Sequence, residues 1–314
     1  MPPPTARPGP HALAACALTA AGLALAARAE TITVCLDGSC DFTDPVAAVQ
    51  AAAQFDTIEI AAGIYMLSSP ISLYDKDLVI RGAVDANGHP ATVLNGQNAT
   101  YHINALIQTA STVIENLVLT NGRGTSATAV YAFNCTGMTF RNCSVRGNRG
   151  GAIHLNGSSV TMVGCEVVDN AAGPGTSAGG GIYVSGSVSL IDCVVSGNAS
   201  TFSGGGIFLP SGAIANLTRT RVCGNSAPQG AQIGQNSGGT VNDIGGACVS
   251  SACVNCQPAQ PCPADLNGDN SVNGTDLGAL LGAWGAAGLG DLNGDGVVNG
   301  IDLGQLVGSW GACG

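Results

Sequence analysis

The sequence predicts an all-β solenoid, with short parallel strands stacked coil on coil, followed by a small all-α unit at the C-terminal end. Three observations predict it. Asparagines recur at Asn121, Asn148, Asn170, Asn198 and Asn225, a spacing that suits one coil of a solenoid. Apolar residues keep fixed distances from those anchors. A twelve-residue pattern rich in Asp and Asn then occurs twice, at 265–276 and 291–302, each copy followed by apolar residues at helical spacing.

The chain opens like an export signal. Arg7 and His11 precede the apolar run 12–26, and Ala27-Arg28-Ala29 fits an A-x-A cleavage site. No later stretch reaches the ~18 apolar residues needed to span a bilayer. The expected mature chain is therefore secreted or at the cell surface, without a transmembrane segment. Among 314 residues there are 47 Gly, only 10 Lys plus Arg, and a formal net charge of −10. So acidic a surface argues against nucleic acid as a partner. Thirteen cysteines, with Cys16 inside the signal, suit an oxidising compartment. Cys35 with Cys40, the cluster Cys248, Cys253 and Cys256, and Cys262 with Cys313 are natural groupings, although spacing alone leaves their pairing open.

Beyond the signal, a helix is expected over 46–53, after Pro45, and a strand over 57–60, where TIEI alternates. Such a helix would cover the open end of a stack of strands, an edge that otherwise invites strand addition. In the coils, Val118, Val145, Val167, Val195 and Val222 stand three positions before the anchors. Asn116, Cys143, Cys165, Cys193 and Thr220 stand five before, and Val113, Phe140, Met162, Leu190 and Leu217 eight before. Alternate residues of a strand share a face, so the Val and Cys columns point inward together. The stacked thiols read as small buried hydrophobes rather than as a redox or metal site. The asparagines read as corner residues that hydrogen-bond up the stack rather than as glycan acceptors, even though Asn198-Ala-Ser is a sequon.

A second strand of each coil reads Val130-Tyr131-Ala132, Ile153-His154-Leu155, Ile182-Tyr183-Val184 and Ile207-Phe208-Leu209. With the aliphatic residues inward, Tyr131, His154, Tyr183 and Phe208 form one outward column. Parallel strands lie about 4.8 Å apart, comparable with the rise of one ring in an extended glycan, so the column is a candidate carbohydrate-binding platform. The alternative is a ring ladder covered by the Gly-rich segments. Catalytic residues are scarce. A uronate lyase needs cations and a base, and the chain has one lysine, Lys76. An inverting glycosidase needs two carboxylates about 6.5–9.5 Å apart. Arg146, Glu166 and Asp169, with Arg141 and Arg149 nearby, are the only candidate group, and a surface ion pair between Arg146 and Glu166 explains them as well.

The duplicated loops offer oxygen ligands at positions 1, 3, 5, 7, 9 and 12, the pattern that wraps a hard cation. The first offers Asp265, Asn267, Asp269, the Ser271 carbonyl, Asn273 and Asp276; the second offers Asp291, Asn293, Asp295, the Val297 carbonyl, Asn299 and Asp302. Two Ca²⁺ ions are expected. The stripes Leu277, Leu280, Leu281, Trp284 and Leu303, Leu306, Val307, Trp310 predict one amphipathic helix after each loop, packed together through these residues.

The repeats GGGIYV and GGGIFL and the entry DTIEIAAGIY resemble pectin-lyase-like proteins, whose fold is the right-handed parallel β-helix. That group's polygalacturonase motifs (NTD, DD, GHG, RIK) are absent. The duplicated loop-then-helix unit with Asp at position 12 resembles a type I dockerin, and its brackets Cys262 and Cys313 with the ending WGAC resemble the GC type. The resemblances imply a signal peptide at 1–29, a β-helix at 30–256 (cap at 30–65, repeats clearest over 110–235), a linker at 257–263 and a dockerin at 264–314. They imply calcium-dependent docking onto a cohesin-like partner by an otherwise monomeric chain. The expected function is binding or presentation of polysaccharide. A polysaccharide-degrading lyase or glycoside hydrolase, assembled through the same dockerin, is the alternative.

Overall fold

The structure, a computed structural model, describes residues 29–108, 112–123, 129–173, 179–256, 263–267, 271–286, 290–293 and 297–312. The expected export signal up to residue 28, the expected loop ligands Asp269 and Asp295, and Cys262 and Cys313 lie outside the described residues.

Each coil contributes three strands. An eight-stranded parallel sheet takes one strand from each coil, from Gly63–Met66 to Cys248–Ser250. A 14-stranded sheet contains the other two strand columns. They merge because Ile153–Val163 and Ile182–Ile191 run on through the bend that elsewhere separates them. Register shifts at that bend, between Asn156 and Ser158. Parallel, in-register pairing stacks like on like. Ile80, Ile114, Phe140, Met162, Leu190 and Leu217 form one buried column, and Leu94, Leu119, Val145, Val167, Val195 and Val222 another. Burying each such side chain stabilises the fold by about 1.5–3 kcal/mol.

The expected columns are one residue out of step in the first anchored coil. Phe140 pairs with Ile114, not Val113, and Val145 pairs with Leu119, not Val118. The ladder position of Asn148 is consequently met by Gly122, not Asn121. The run Leu117-Val118-Leu119 is apolar in either register, so hydrophobicity could not choose between them. The corners choose. Asn116 and Asn142 both adopt left-handed backbone, with φ of 59° and 46°, and Asn142 Nδ2 donates to Asn116 Oδ1 at 2.9 Å.

The other corner carries the buried asparagine ladder. Asn148 Nδ2 donates to Asn170 Oδ1 (2.9 Å), Asn170 Nδ2 to Asn198 Oδ1 (2.9 Å), and Asn198 Nδ2 to Asn225 Oδ1 (3.0 Å). Each Oδ1 also accepts the preceding rung's backbone N–H. Asn198 is fully buried, which removes it as a glycan acceptor. The GGG repeats answer to the same stacking. A Cβ on Gly181 would lie 2.5 Å from the Gly206 carbonyl oxygen, and one on Gly206 would lie 2.5 Å from that of Gln232.

A helix closes the N-terminal end of the stack. Helix α1 (Pro45–Ala51) is capped by Asp44, which accepts from Val46 N at 3.0 Å, and buries Val46, Ala48 and Val49 in the core. Lys76 Nζ donates to the carbonyls of Val49, Gln50 and Ala52 at the C-terminal end of α1, where a cation suits the helix dipole. Cys35–Cys40 closes the expected small loop. At the other end Cys248 pairs with Cys256, and Cys253 pairs with Cys223, a partner the cluster did not suggest. Cys135, Cys143, Cys165 and Cys193 are free and buried.

The C-terminal unit has its own small core of Ala264, Val272, Leu280, Val298 and Leu306. Helices α2 (Gly274–Gly282) and α3 (Gly300–Gly308) follow the two loops as expected. Their predicted packing is corrected in part. Leu280 and Leu306 are buried, and Leu277 and Leu303 pack partly against the core, but Leu281, Trp284, Val307 and Trp310 stay about half exposed. Each helix is about two and a half turns long and presents one narrow buried stripe. Among the described residues, no helix is long and apolar enough to cross a membrane.

Candidate functional site

The ring column exists in the predicted register. Tyr131 pairs with His154, His154 with Tyr183, and Tyr183 with Phe208 across three successive coil contacts. Ring centroids lie 5.4, 4.3 and 5.8 Å apart, with the His154 and Tyr183 rings stacked at 28°. Asn104 precedes the column and Gly234 follows it. Its exposure is uneven. His154 is 8% and Phe208 5% exposed, while Tyr131 and Tyr183 are half-buried. The Gly-rich segments cause part of this. Gly204 takes a left-handed φ of 64°, and a Cβ there would meet Phe208 Cβ at 2.6 Å. An open platform of four rings is thus reduced to two tyrosine edges, two coils or about 9.6 Å apart, with a covered histidine between them. Burial lowers the His154 pKa to about 4, so the ring is neutral at pH 7.

The candidate catalytic group is spread over two adjacent coils. Glu166 is the register partner of Ser144, while Arg146 pairs with Val168, and no ion pair joins Arg146 to Glu166 among the described residues. Asp169 holds a corner in left-handed backbone, φ 55°, aligned with Gly147 and Gly197 of the adjoining coils. Its Oδ1 leans over Gly197, where an added Cβ would collide with it. That is the position of a corner residue.

Sequence reading missed a charge ladder on the outer face of the large sheet. Glu59, Arg81 and Glu115 are register partners on three successive coils, and Arg81 bonds to Glu59 Oε1 (3.2 Å) through Nη1 and to Glu115 Oε1 (2.5 Å) through Nε. Their spacings of 22 and 34 residues differ by an inserted loop, which concealed the repeat.

The described parts of the two twelve-residue loops fold alike. Asp276 is fully buried; its Oδ1 accepts from the backbone N–H of Leu266 (2.8 Å) and Asn267 (3.1 Å), and its Oδ2 from Asn273 N (2.9 Å). Asp302 accepts from Leu292, Asn293 and Asn299 at 2.8, 3.1 and 2.8 Å. Position 12 therefore ties together the backbone of positions 2, 3 and 9 in each loop. The side chain of position 9 is engaged otherwise: Asn273 Oδ1 caps α2 by accepting from Thr275 N, and Asn299 Oδ1 caps α3 by accepting from Ile301 N, each at 2.8 Å. A carboxylate offers about four acceptor sites, so three amides leave one on each position-12 Asp. The all-oxygen set suits a hard cation.

Comparison with known proteins bears on the fold. No curated protein matches the chain. Similar solved structures include pectin methylesterase from Aspergillus niger, 13% identical over 71% of this chain and 84% of that one, with a TM-score of 0.45. Pectin methylesterase from carrot is 16% identical over 72% and 90%, with a TM-score of 0.42. The pectate lyase Pel9A is 14% identical over 70% of this chain and 59% of that one, with a TM-score of 0.47. The family assignment rests instead on residues 80–252, which match the model described as right handed beta helix region. With stacked parallel strands and more than half its length within that match, the chain belongs to the right-handed β-helix family.

Proposed function

We infer that this chain is an exported solenoid that binds polysaccharide and is anchored through its C-terminal calcium-binding unit. The observation that carries the first half is the column of rings at one outward position of four successive coils, with Tyr131 and Tyr183 leaving edges in solvent. A regular row of amphipathic rings matches a regular polymer, and tyrosine combines an apolar face with a polar tip. Affinity electrophoresis in gels containing neutral or acidic polysaccharides tests it. The mature chain should be retarded, and the double variant Y131A/Y183A should lose its retardation in the neutral gels. No retardation of the parent in any gel refutes the reading. Release of unsaturated or reducing ends would instead make the chain a lyase or hydrolase, with Arg146, Glu166 and Asp169 the residues to substitute first.

The second half rests on the duplicated loops closed at Asp276 and Asp302. Two Ca²⁺ ions would be held by positions 1, 3, 5, 7 and 12, with Asn273 and Asn299 reaching the cation through water while they cap the helices. The half-exposed Leu281, Trp284, Val307 and Trp310 leave apolar surface for a cohesin-like docking partner. Far-UV circular dichroism of residues 263–314 should gain helix when calcium is added to the chelated protein. Unchanged helicity counts against the calcium sites.

A further inference from the structure

The cations of this acidic chain are unequally employed. Ten Lys and Arg residues are present, of which Arg7 and Arg28 lie outside the described residues. Four of the remaining eight have partners. Lys76 binds the carbonyls at the end of α1, Arg81 joins Glu59 and Glu115, Arg219 pairs with Asp192, and Arg221 donates to the Cys256 carbonyl. The other four, Arg123, Arg141, Arg146 and Arg149, are exposed and make no ion pair among the described residues. Three of them gather at one corner. Arg123 and Arg149 face each other as β-bridge partners on adjacent coils, and Arg146 lies three residues before Arg149 on the same coil. Their backbones are fixed, Arg149 N donating to the Gly122 carbonyl and Arg123 N to the Thr100 carbonyl.

Like charges set directly opposite each other across neighbouring strands destabilise the pair. Among the described residues no carboxylate pairs with Arg123 or Arg149. The next coil offers Ala171 in the Arg149 column and Val168 in the Arg146 column, and Asp169 leans away over Gly197. With a net charge of −10, most of the surface would hold polyanions off, so this corner is where one can approach.

We propose that Arg123, Arg146 and Arg149 form an anion-binding corner that takes the oxyanions, carboxylate or sulfate ester, of successive residues of an acidic glycan. Arginine matches both oxyanions bidentately, and the bridge sets Arg123 and Arg149 one coil, about 4.8 Å, apart. The choice of a glycan rests on the polysaccharide reading above; the site itself is separate from the ring column.

The test is affinity electrophoresis of the full chain through polygalacturonate, dextran sulfate and neutral dextran. The parent should be retarded by at least one polyanion and released at about 1 M salt, where the Debye length falls to about 3 Å. Which polyanion retards it identifies carboxylate or sulfate as the group read. The surface variant R123A/R149A should lose about tenfold in affinity, two exposed contacts being worth roughly threefold each, while R141A on the other outer face should match the parent. The proposal fails if neither polyanion retards the parent, if R123A/R149A binds as the parent does, or if R141A loses as much. Y131A/Y183A in the same gels separates the two ideas: its loss of neutral-glycan binding with acidic binding intact sustains both, whereas arginine variants without effect leave the ring reading standing alone.

Discussion

Replacing Asn198 by Ala tests whether the asparagine ladder holds the coils together. Asn198 is fully buried and its side chain makes four hydrogen bonds: Oδ1 accepts from Asn170 N and Asn170 Nδ2, and Nδ2 donates to the Val167 carbonyl and to Asn225 Oδ1. Asn170 Nδ2 keeps other acceptors in the Val145 and Val168 carbonyls after truncation. Asn170 N and the Val167 carbonyl lose the bonds that Asn198 supplied. Asn170 N is left unsatisfied, at about 1–3 kcal/mol, while the Val167 carbonyl keeps its ladder bond from Ser196 N and loses only a second bond worth about 0.5–1.5 kcal/mol. The expected loss is roughly 1.5–4.5 kcal/mol, a large share of the ~5–15 kcal/mol typical of a domain. Equilibrium urea unfolding followed by circular dichroism measures it, with the midpoint expected to fall at unchanged slope. Asn198→Asp should be at least as damaging, because it removes both donations and places a carboxylate in the core. A loss below about 1 kcal/mol for Asn198→Ala would refute the reasoning, since it would mean that the ladder adds no net stabilisation at this rung.

Other consequences follow from burial. The thiols of Cys165 and Cys193 are pushed up, each by the neighbouring thiol in the column and by desolvation. Cys143, Cys165 and Cys193 should therefore resist an aromatic disulfide reagent in the native protein, even at pH 9, and react on denaturation; prompt native labelling would show the column to be accessible. Burial holds His102 and His154 near pKa 4 against an ordinary 6.5. Both are neutral when folded and protonate below pH 6.5 when unfolded, so their contribution is full above 6.5 and is lost as pH falls through about 4, up to roughly 3 kcal/mol each. His154→Phe keeps a ring in the column and should flatten this part of the acid profile; an unchanged profile would contradict the assignment. Gly206→Ala should lower the unfolding midpoint sharply, because its Cβ would press on the Gln232 carbonyl, whereas Gly212→Ala meets no neighbour and carries only the cost of a left-handed φ of 79°.

Sequence alone determined the periodic parts of this protein. A parallel in-register stack repeats the same environment at the same position of every coil, so Cys143, Cys165 and Cys193, the ring column and the anchors from Asn148 onward were legible as columns. Loop spacing likewise located α2 and α3. Tertiary structure decided whatever periodicity leaves degenerate. Leu117-Val118-Leu119 fits either face, and only the left-handed corner at Asn116 set its register. The outward direction of His154 and Phe208 was readable, but their coverage was not, because it depends on how closely the glycine segments approach. Cys223 found Cys253, and Arg123 met Arg149, because coil closure brings together residues whose separation along the chain carries no local pattern. Patterns in a sequence report repeated surroundings, and a contact made once, between coils, has no repeat to report it.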